Sequence, residues 1–327
     1  MSTKIKRIGV LTSGGDGPGL NPCIRAVTRT AIGNGVEVMG IRRGYTGLIN
    51  GEFESFTARS VGGILGQGGT ILGTTRLPEF TKLKLQRQAI RALNQHDVDG
   101  LVVIGGNGSL TGALALHTQG FPTVGVPGTI DNDVGGTDIA VGVDTTLNTV
   151  LDAIDKIKDT ASSHQRAFLI EVMGRDCGYL ALMSGMAGGA EMILIPEIDT
   201  PLEDVAQCLS DAYMRGKAHG IVIVAEGYKP GTAALLQYLE EHRDELGFSM
   251  RVTVLGHVQR GGRPSAYDRI LATRLGAAAV EGLLAGKSGV VAGMIASKVA
   301  YTPLEEAVSA LRPIDKRLHE LAHLMEI

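Results

Sequence analysis

The sequence has 327 residues, of which 44% are hydrophobic, 20% charged and 4% aromatic. This apolar content, with a formal net charge of only −3, excludes an intrinsically disordered chain. Because 31 basic residues nearly balance 34 acidic ones, we expect no nucleic-acid partner. The sequence contains no apolar run of membrane-spanning length, so we expect no membrane association and a cytoplasmic location.

Short apolar runs alternate with longer stretches of helical spacing along the chain. The runs rich in Val and Ile predict strands at residues 5–12, 36–41, 100–104, 123–126, 167–172, 192–195, 221–225, 251–255 and 290–295. Helical spacing predicts helices at residues 21–32, 83–95, 146–159, 202–216 and 266–284. Strands that are apolar on both faces need helices on both sides, so the pattern predicts an α/β fold with two doubly wound parallel sheets.

Three loops rich in small residues follow predicted strands, at 12–19 (TSGGDGPG), 105–109 (GGNGS) and 127–133 (PGTIDND). In α/β proteins ligands bind beyond the carboxyl ends of the strands, and exposed amide groups at helix starts attract phosphate. Asp131 and Asp133 add carboxylate oxygens, which suit proton transfer or Mg²⁺ binding. Tight turns would explain one such loop, but three together, two of them with carboxylates, favour a nucleotide-phosphate and metal site.

Basic residues near the ends of other strands form a second set. This set consists of Arg76, Arg166, Arg175, Arg251, His257 and Arg260. The forked guanidinium group matches phosphate oxygens, so these residues indicate a second substrate that carries a phosphate. A single arginine is more often a solvated surface residue.

Taken together and in this order, these segments resemble the phosphofructokinase family, and within it the bacterial ATP-dependent branch. The matching stretches are 9–19, 69–80, 101–109, 126–133, 159–166, 171–178, 187–191 and 254–268. The resemblance implies two Rossmann-like domains with crossing segments. An ATP-binding domain would comprise residues 1–142 and 256–304, and a sugar-phosphate-binding domain residues 143–255 and 305–327. It also implies a homotetramer.

The resemblance implies a role for individual residues of this sequence. ATP would be bound by Gly14, Tyr45, Arg76, Gly106, Gly108 and Ser109. Fructose 6-phosphate would be bound by Thr129, Asp131, Met173, Gly174, Arg175, Glu226, His257 and Arg260, with Arg166 and Arg251 supplied by a neighbouring subunit. Asp131 would take the proton from the sugar 1-hydroxyl, while Thr129 and Arg175 would stabilise charge on the transferring group.

Two further sites follow from the resemblance. Mg²⁺ would be held by Asn107 and Asp133, although the family normally has Asp at the position of Asn107, so we expect weaker metal affinity. An effector pocket for ADP or phosphoenolpyruvate would be formed by Arg25, Arg29, Lys158, Glu191, Arg215 and Lys217. These residues would otherwise be solvated helix residues without a regulatory role.

Three alternative functions remain at this point. The pyrophosphate-dependent branch of the family typically has Asp and Lys at the positions of Gly108 and Gly128, so two glycines favour ATP as the donor. A nicotinamide-dependent oxidoreductase would use the glycines of the 106–112 loop. An inactive regulatory paralogue is suggested by Asn107 alone.

Overall fold

The computed structural model describes residues 5–309 and 311–325, and the chain forms two compact units. The first unit comprises Met1–Thr145 and Arg260–Arg312, and the second comprises Thr146–Gln259 and Pro313–Ile327. Each unit contains a parallel-dominated sheet covered by helices, which confirms the predicted α/β class.

The described residues contain eleven strands and twelve α-helices. The strands are β1 Arg7–Ser13, β2 Glu37–Ile41, β3 Phe53–Phe56, β4 Gly100–Gly105, β5 Thr123–Pro127, β6 Arg166–Val172, β7 Met192–Leu194, β8 Gly220–Ala225, β9 Ser249–Val254, β10 Val290–Ile295 and β11 Lys298–Pro303. The helices are α1 Leu20–Gly33, α2 Gly44–Asn50, α3 Leu83–Gln95, α4 Asn107–Thr118, α5 Val143–His164, α6 Tyr179–Gly188, α7 Leu202–Met214, α8 Thr232–Glu241, α9 Arg243–Leu246, α10 Ala266–Leu284, α11 Leu304–Ser309 and α12 Lys316–Leu324. None of these helices is both long and apolar enough to cross a bilayer.

The sheet of the first unit has the order β11-β10-β5-β4-β1-β2-β3, and only the edge strands β3 and β11 run antiparallel to their neighbours. Strand β2 pairs with one side of β1, and β4, which comes later in the chain, pairs with the other side of β1. This reversal between β1 and β4 is a topological switch point, where doubly wound sheets bind ligands. The loops after β1, β4 and β5 therefore start side by side at one edge.

Apolar side chains cover both faces of this sheet. One core joins β1 and β4 to α1 and α10, through residues such as Val10, Ile24 and Leu275. The other core packs α3, α4 and α11 on the opposite face, around Leu101 and Leu110. Because both faces are buried, the central strands are almost wholly apolar and their positions are strongly specified.

The second unit has a four-stranded parallel sheet in the order β7-β8-β6-β9. Helices α5, α6 and α12 pack on one face, around Ile154 and Leu182. Helices α7, α8 and α9 cover the other face, around Leu209 and Leu239. The carboxyl ends of β8, β6 and β9 are adjacent, so the loops that follow these three strands start close together.

Candidate active site

The glycine loop after β1 is fixed by the segment that carries Arg76. Gly14 has φ +90°, a left-handed conformation that favours glycine. Its N–H donates to the carbonyl oxygen of Thr75 at 3.2 Å, and the Thr74 hydroxyl donates to the carbonyl oxygen of Gly14 at 2.9 Å. The exposed Arg76 follows directly. The structure thus brings together two predicted ATP-binding residues, Gly14 and Arg76, at the carboxyl edge of the first sheet.

The loop after β4 lies against the glycine loop and opens into α4. A Cβ on Gly14 would lie 3.1 Å from the hydroxyl oxygen of Ser109, so the two loops are in close contact. A Cβ on Gly108, by contrast, would meet no described atom within 4 Å. Gly108 is exposed, so the main chain at the start of α4 is open at this residue, and the amide groups of a helix start suit an anion.

The side chain of Tyr45, which was predicted to bind the nucleotide, is buried. Its side chain is 3% exposed, its ring stacks on Phe80 with centroids 4.1 Å apart, and its hydroxyl donates to the carbonyl oxygen of Ser109 at 2.6 Å. Burial raises the pKa of this hydroxyl well above its ordinary value. The ring belongs to the core and supports the first turn of α4. Because the ring is buried here, Tyr45 would affect a bound nucleotide through the first turn of α4 and not by direct contact of its ring.

The loop after β5 carries the predicted base. Asp131 is 2% exposed, and its N–H donates to the Thr129 hydroxyl at 3.2 Å, which holds the two residues in one turn. The next residue, Asn132, has φ +53°. Its side chain accepts from the N–H of Ala140 at 2.9 Å and donates to the carbonyl oxygen of Asp138 at 3.3 Å.

Asn132 therefore clamps the segment that follows the predicted base, a role that was not predicted from the sequence. The available signal was its position between two aspartates. Asn adopts left-handed backbone more readily than most residues and bonds to nearby main-chain groups.

A hydrogen bond joins Asn107 and Asp133, the two predicted metal ligands. The Asn107 amide nitrogen donates to the main-chain carbonyl oxygen of Asp133 at 3.2 Å. The buried Oδ1 atom of Asn107 has no hydrogen-bond partner among residues 5–309 and 311–325. Within those ranges there is no group of three or more His, Cys, Asp or Glu side chains able to hold a metal. An oxygen-only pair still fits Mg²⁺, which commonly takes one or two protein ligands together with phosphate and water.

Arg260 lies on the glycine loop of the first unit. Its side chain is 8% exposed, and Nη1 donates to the carbonyl oxygen of Asp16 at 3.1 Å. A Cβ on Gly15 would lie only 2.5 Å from this nitrogen. The resemblance implies that Arg260 binds the sugar phosphate, and this contact with the glycine loop was not predicted.

Three groups of predicted acceptor-binding residues lie at the carboxyl ends of adjacent strands in the second unit. Met173, Gly174 and Arg175 follow β6, Glu226 follows β8, and His257 follows β9. The Glu226 carboxylate accepts from the N–H groups of Gly174 and Arg175, at 3.2 and 2.7 Å. Since Arg175 has φ +52°, this carboxylate holds its main chain in an unusual conformation. Glu226 thereby positions Arg175.

Arg166 and Arg251 do not join that group. Arg166 is the first residue of β6, at the amino end of the strand, and Arg251 lies within β9 opposite Phe168. That Arg166 and Arg251 bind the substrate in the site of a neighbouring subunit stays a prediction.

The predicted effector residues are divided between the units. Arg25 and Arg29 lie on α1 in the first unit. In the second unit the buried Glu191 carboxylate accepts from the N–H of Ile221 and from Lys217, the latter at 3.5 Å. Glu191 and Arg215 line a cavity of about 520 Å³ together with residues of α7 and α12. The Lys158 ammonium group instead donates to the carbonyl oxygen of Gly188.

Comparison with known proteins identifies the family. The family model described as "Phosphofructokinase" matches residues 7–283. The ATP-dependent 6-phosphofructokinases of Listeria welshimeri and Thermotoga neapolitana are each 51% identical over 323 residues, which cover 99% and 98% of this chain and the whole of theirs. A crystal structure of Pichia pastoris phosphofructokinase in the T-state superposes with a TM-score of 0.88 at 37% identity. That match covers 99% of this chain and 37% of the yeast chain. The chain belongs to the phosphofructokinase family.

Proposed function

We propose that this protein transfers the γ-phosphoryl group of ATP to the 1-hydroxyl of fructose 6-phosphate, giving ADP and fructose 1,6-bisphosphate with Mg²⁺. The observation that carries the proposal is the meeting of three loops at the switch point of the first sheet, with the buried Asp131 in one of them and the open start of α4 in another. The full-length similarity to ATP-dependent 6-phosphofructokinases supports the choice of substrates.

Each step of the transfer has a residue suited to it. Gly14 faces the donor phosphates, the amide groups at 106–108 and the Ser109 side chain bind them, and the exposed Arg76 binds the nucleotide. Asp131 accepts the proton of the 1-hydroxyl as the hydroxyl oxygen bonds to the γ-phosphorus and the bond to the ADP oxygen breaks. Thr129 and Arg175 stabilise charge on the transferring group. The acceptor phosphate is held by His257 and Arg260, with Arg166 and Arg251 of a neighbouring subunit.

The metal would be held by Asn107 through its buried Oδ1 atom and by Asp133. When bound, Mg²⁺ would neutralise part of the negative charge on the donor phosphates. The residues of this chain orient the loop that carries Asp133: Asn132 clamps it, and the Asn107 amide, at the start of α4, anchors it at the carbonyl oxygen of Asp133.

Replacing Asn107 with Asp is expected to increase the affinity for the metal ion and to lower the thermal stability of the metal-free protein. A carboxylate adds a negative charge to the ligand set, so we expect Mn²⁺ to bind about tenfold more tightly, as read from the free Mn²⁺ signal in electron paramagnetic resonance. The carboxylate has no N–H to donate to Asp133, so Tm in EDTA should fall by a few degrees, roughly the effect of one lost hydrogen bond. Asn94→Asp, at an exposed position on α3, is the matched control. Unchanged Mn²⁺ affinity in Asn107→Asp would exclude Oδ1 as a ligand.

The donor is tested by following fructose 1,6-bisphosphate formation with ATP and with pyrophosphate in parallel assays. We expect turnover with ATP and at least a hundredfold lower kcat/KM with pyrophosphate. In Gly108→Asp the KM for ATP should rise about tenfold or more, because a carboxylate would repel the donor phosphates from space that no described side chain fills. Gly108→Ala is the steric control and should stay close to the unmodified protein. Preferential turnover of pyrophosphate would contradict the proposal.

We propose the wider organisation on the same basis. The ATP-binding domain would comprise residues 1–142 and 256–304, and the sugar-phosphate-binding domain residues 143–255 and 305–327. The protein would act in the cytoplasm as a homotetramer. ADP or phosphoenolpyruvate would act at an effector site built from Arg25, Arg29, Lys158, Glu191, Arg215 and Lys217.

A further inference from the structure

Arg260 is a buried cation without a counter-ion in the described part of the chain. Its side chain is 92% buried (8% exposed), and no Asp or Glu oxygen of residues 5–309 and 311–325 forms an ion pair with it. Of its five N–H donors, one has a described acceptor, the carbonyl oxygen of Asp16. A charge removed from water is costly unless an opposite charge or several hydrogen bonds compensate it. This arrangement indicates an anionic ligand beside Arg260.

The guanidinium group lies on the main chain of the glycine loop. A Cβ on Gly15 would be 2.5 Å from Nη1, so only glycine at this position lets the group lie where it does. The segment that carries Arg260 is itself held in place. A Cβ on Gly68 would be 2.2 Å from the carbonyl oxygen of Gly262, and the Asn21 amide donates to the carbonyl oxygen of Gly68 at 3.0 Å. The main chain that carries Arg260 is therefore packed in place where its side chain reaches the glycine loop.

The bond to Asp16 fixes the direction of an amide in the phosphate-binding loop. A peptide unit is planar and trans, so its carbonyl and its N–H point in opposite directions. When the Asp16 carbonyl accepts from Arg260, the N–H of Gly17 points away from Arg260. Without the arginine this peptide can rotate, and the loop of residues 14–17 loses a hydrogen bond that fixes its conformation.

We propose that Arg260 is a positioning residue for the phosphate donor: it fixes the glycine loop of residues 14–17 and supplies positive charge beside the phosphate bound there. This inference rests on the proposed function and extends it, because Arg260 was assigned there to the acceptor alone. Nucleotide binding then depends on Arg260 even when no sugar phosphate is present.

The experiment measures binding of the non-hydrolysable ATP analogue AMP-PNP with Mg²⁺ by calorimetry, in the absence of fructose 6-phosphate. Arg260→Gln should bind the analogue about 10- to 100-fold more weakly, the effect of losing a hydrogen bond and charge at a charged group. Arg260→Lys, which keeps the charge without the fork, should lie between Arg260→Gln and the unmodified protein. Arg263→Gln removes an exposed arginine from the same segment and should leave the Kd within about twofold.

A second variant tests the contact if Arg260→Gln does not fold. In Gly15→Ala the new methyl group displaces the tip of Arg260 while the arginine remains, so AMP-PNP binding should weaken. If both changes act through one contact, the double variant should bind little more weakly than Arg260→Gln alone.

Two results would overturn the proposal: AMP-PNP affinity in Arg260→Gln within twofold of the unmodified protein with a raised KM for fructose 6-phosphate, or fully additive losses in the double variant. If the unmodified protein itself fails to bind AMP-PNP, the proposed function falls and this inference with it.

Discussion

Replacing Asp131 with Asn is expected to lower kcat by about 10²- to 10⁴-fold, the usual contribution of a positioned general base. The amide has the size of the carboxylate but cannot accept the proton of the sugar hydroxyl. The N–H of Asp131 that bonds to Thr129 belongs to the main chain and is unaffected. The KM for fructose 6-phosphate should therefore change much less than kcat, which steady-state kinetics in the bisphosphate assay will measure.

Asp138→Asn is the matched control for this substitution. Asp138 belongs to the same loop but is exposed, and its carboxylate accepts from the N–H of Ala296, which an amide oxygen can also do. We expect its kcat to stay near that of the unmodified protein. A near-normal kcat in Asp131→Asn would remove Asp131 from the role of base.

Replacing Arg175 with Ala is expected to lower kcat about 10³-fold, the lower end of the range for arginines that stabilise a transferring phosphoryl group. Glu226 holds the main chain of residues 174 and 175 through two N–H groups, so the guanidinium is presented from a fixed backbone. Arg175→Lys should recover part of the activity, because it restores the charge but not the planar fork.

The control for Arg175→Ala is Arg243→Ala, which removes an exposed arginine from α9 of the same unit. Circular dichroism and Tm confirm that each variant is folded. A loss confined to the KM for fructose 6-phosphate, with kcat unchanged, would show that Arg175 binds the substrate without stabilising the transition state.

The parallel strands of both sheets could be predicted from the sequence, whereas the two antiparallel edge strands of the first sheet could not. All nine predicted strands are present with ends within two residues of the observed ones. Most of them are buried on both faces and therefore have continuous apolar sequences, although β9 is largely not buried. Strands β3 and β11 were not predicted: each is an antiparallel edge strand with exposed residues, such as Glu54 and Lys298, among its apolar ones. Helix α6 was also missed, because its mostly apolar sequence shows little helical periodicity.

The candidate site was predictable where a loop's composition reflects its local conformation. The glycines and aspartates at 12–19, 105–109 and 127–133 all lie at strand ends, as predicted. Contacts between distant segments were not predictable in this way. Arg260 and Asp16 are 244 positions apart, and the burial of Tyr45 depends on Phe80 and on the space beside Gly112. No local pattern contains these pairings.

The first sheet draws its last two strands from the far end of the chain, and this has a consequence for biosynthesis. β10 pairs with β5, with Val290 beside Val124. At about 5–20 residues per second, a ribosome needs on the order of ten seconds or more to reach β10 after finishing β5. Throughout that interval the nascent polypeptide displays an apolar strand with one side unsatisfied, a feature that promotes aggregation. Exposure of this edge before β10 has been made favours aggregation of the incomplete sheet.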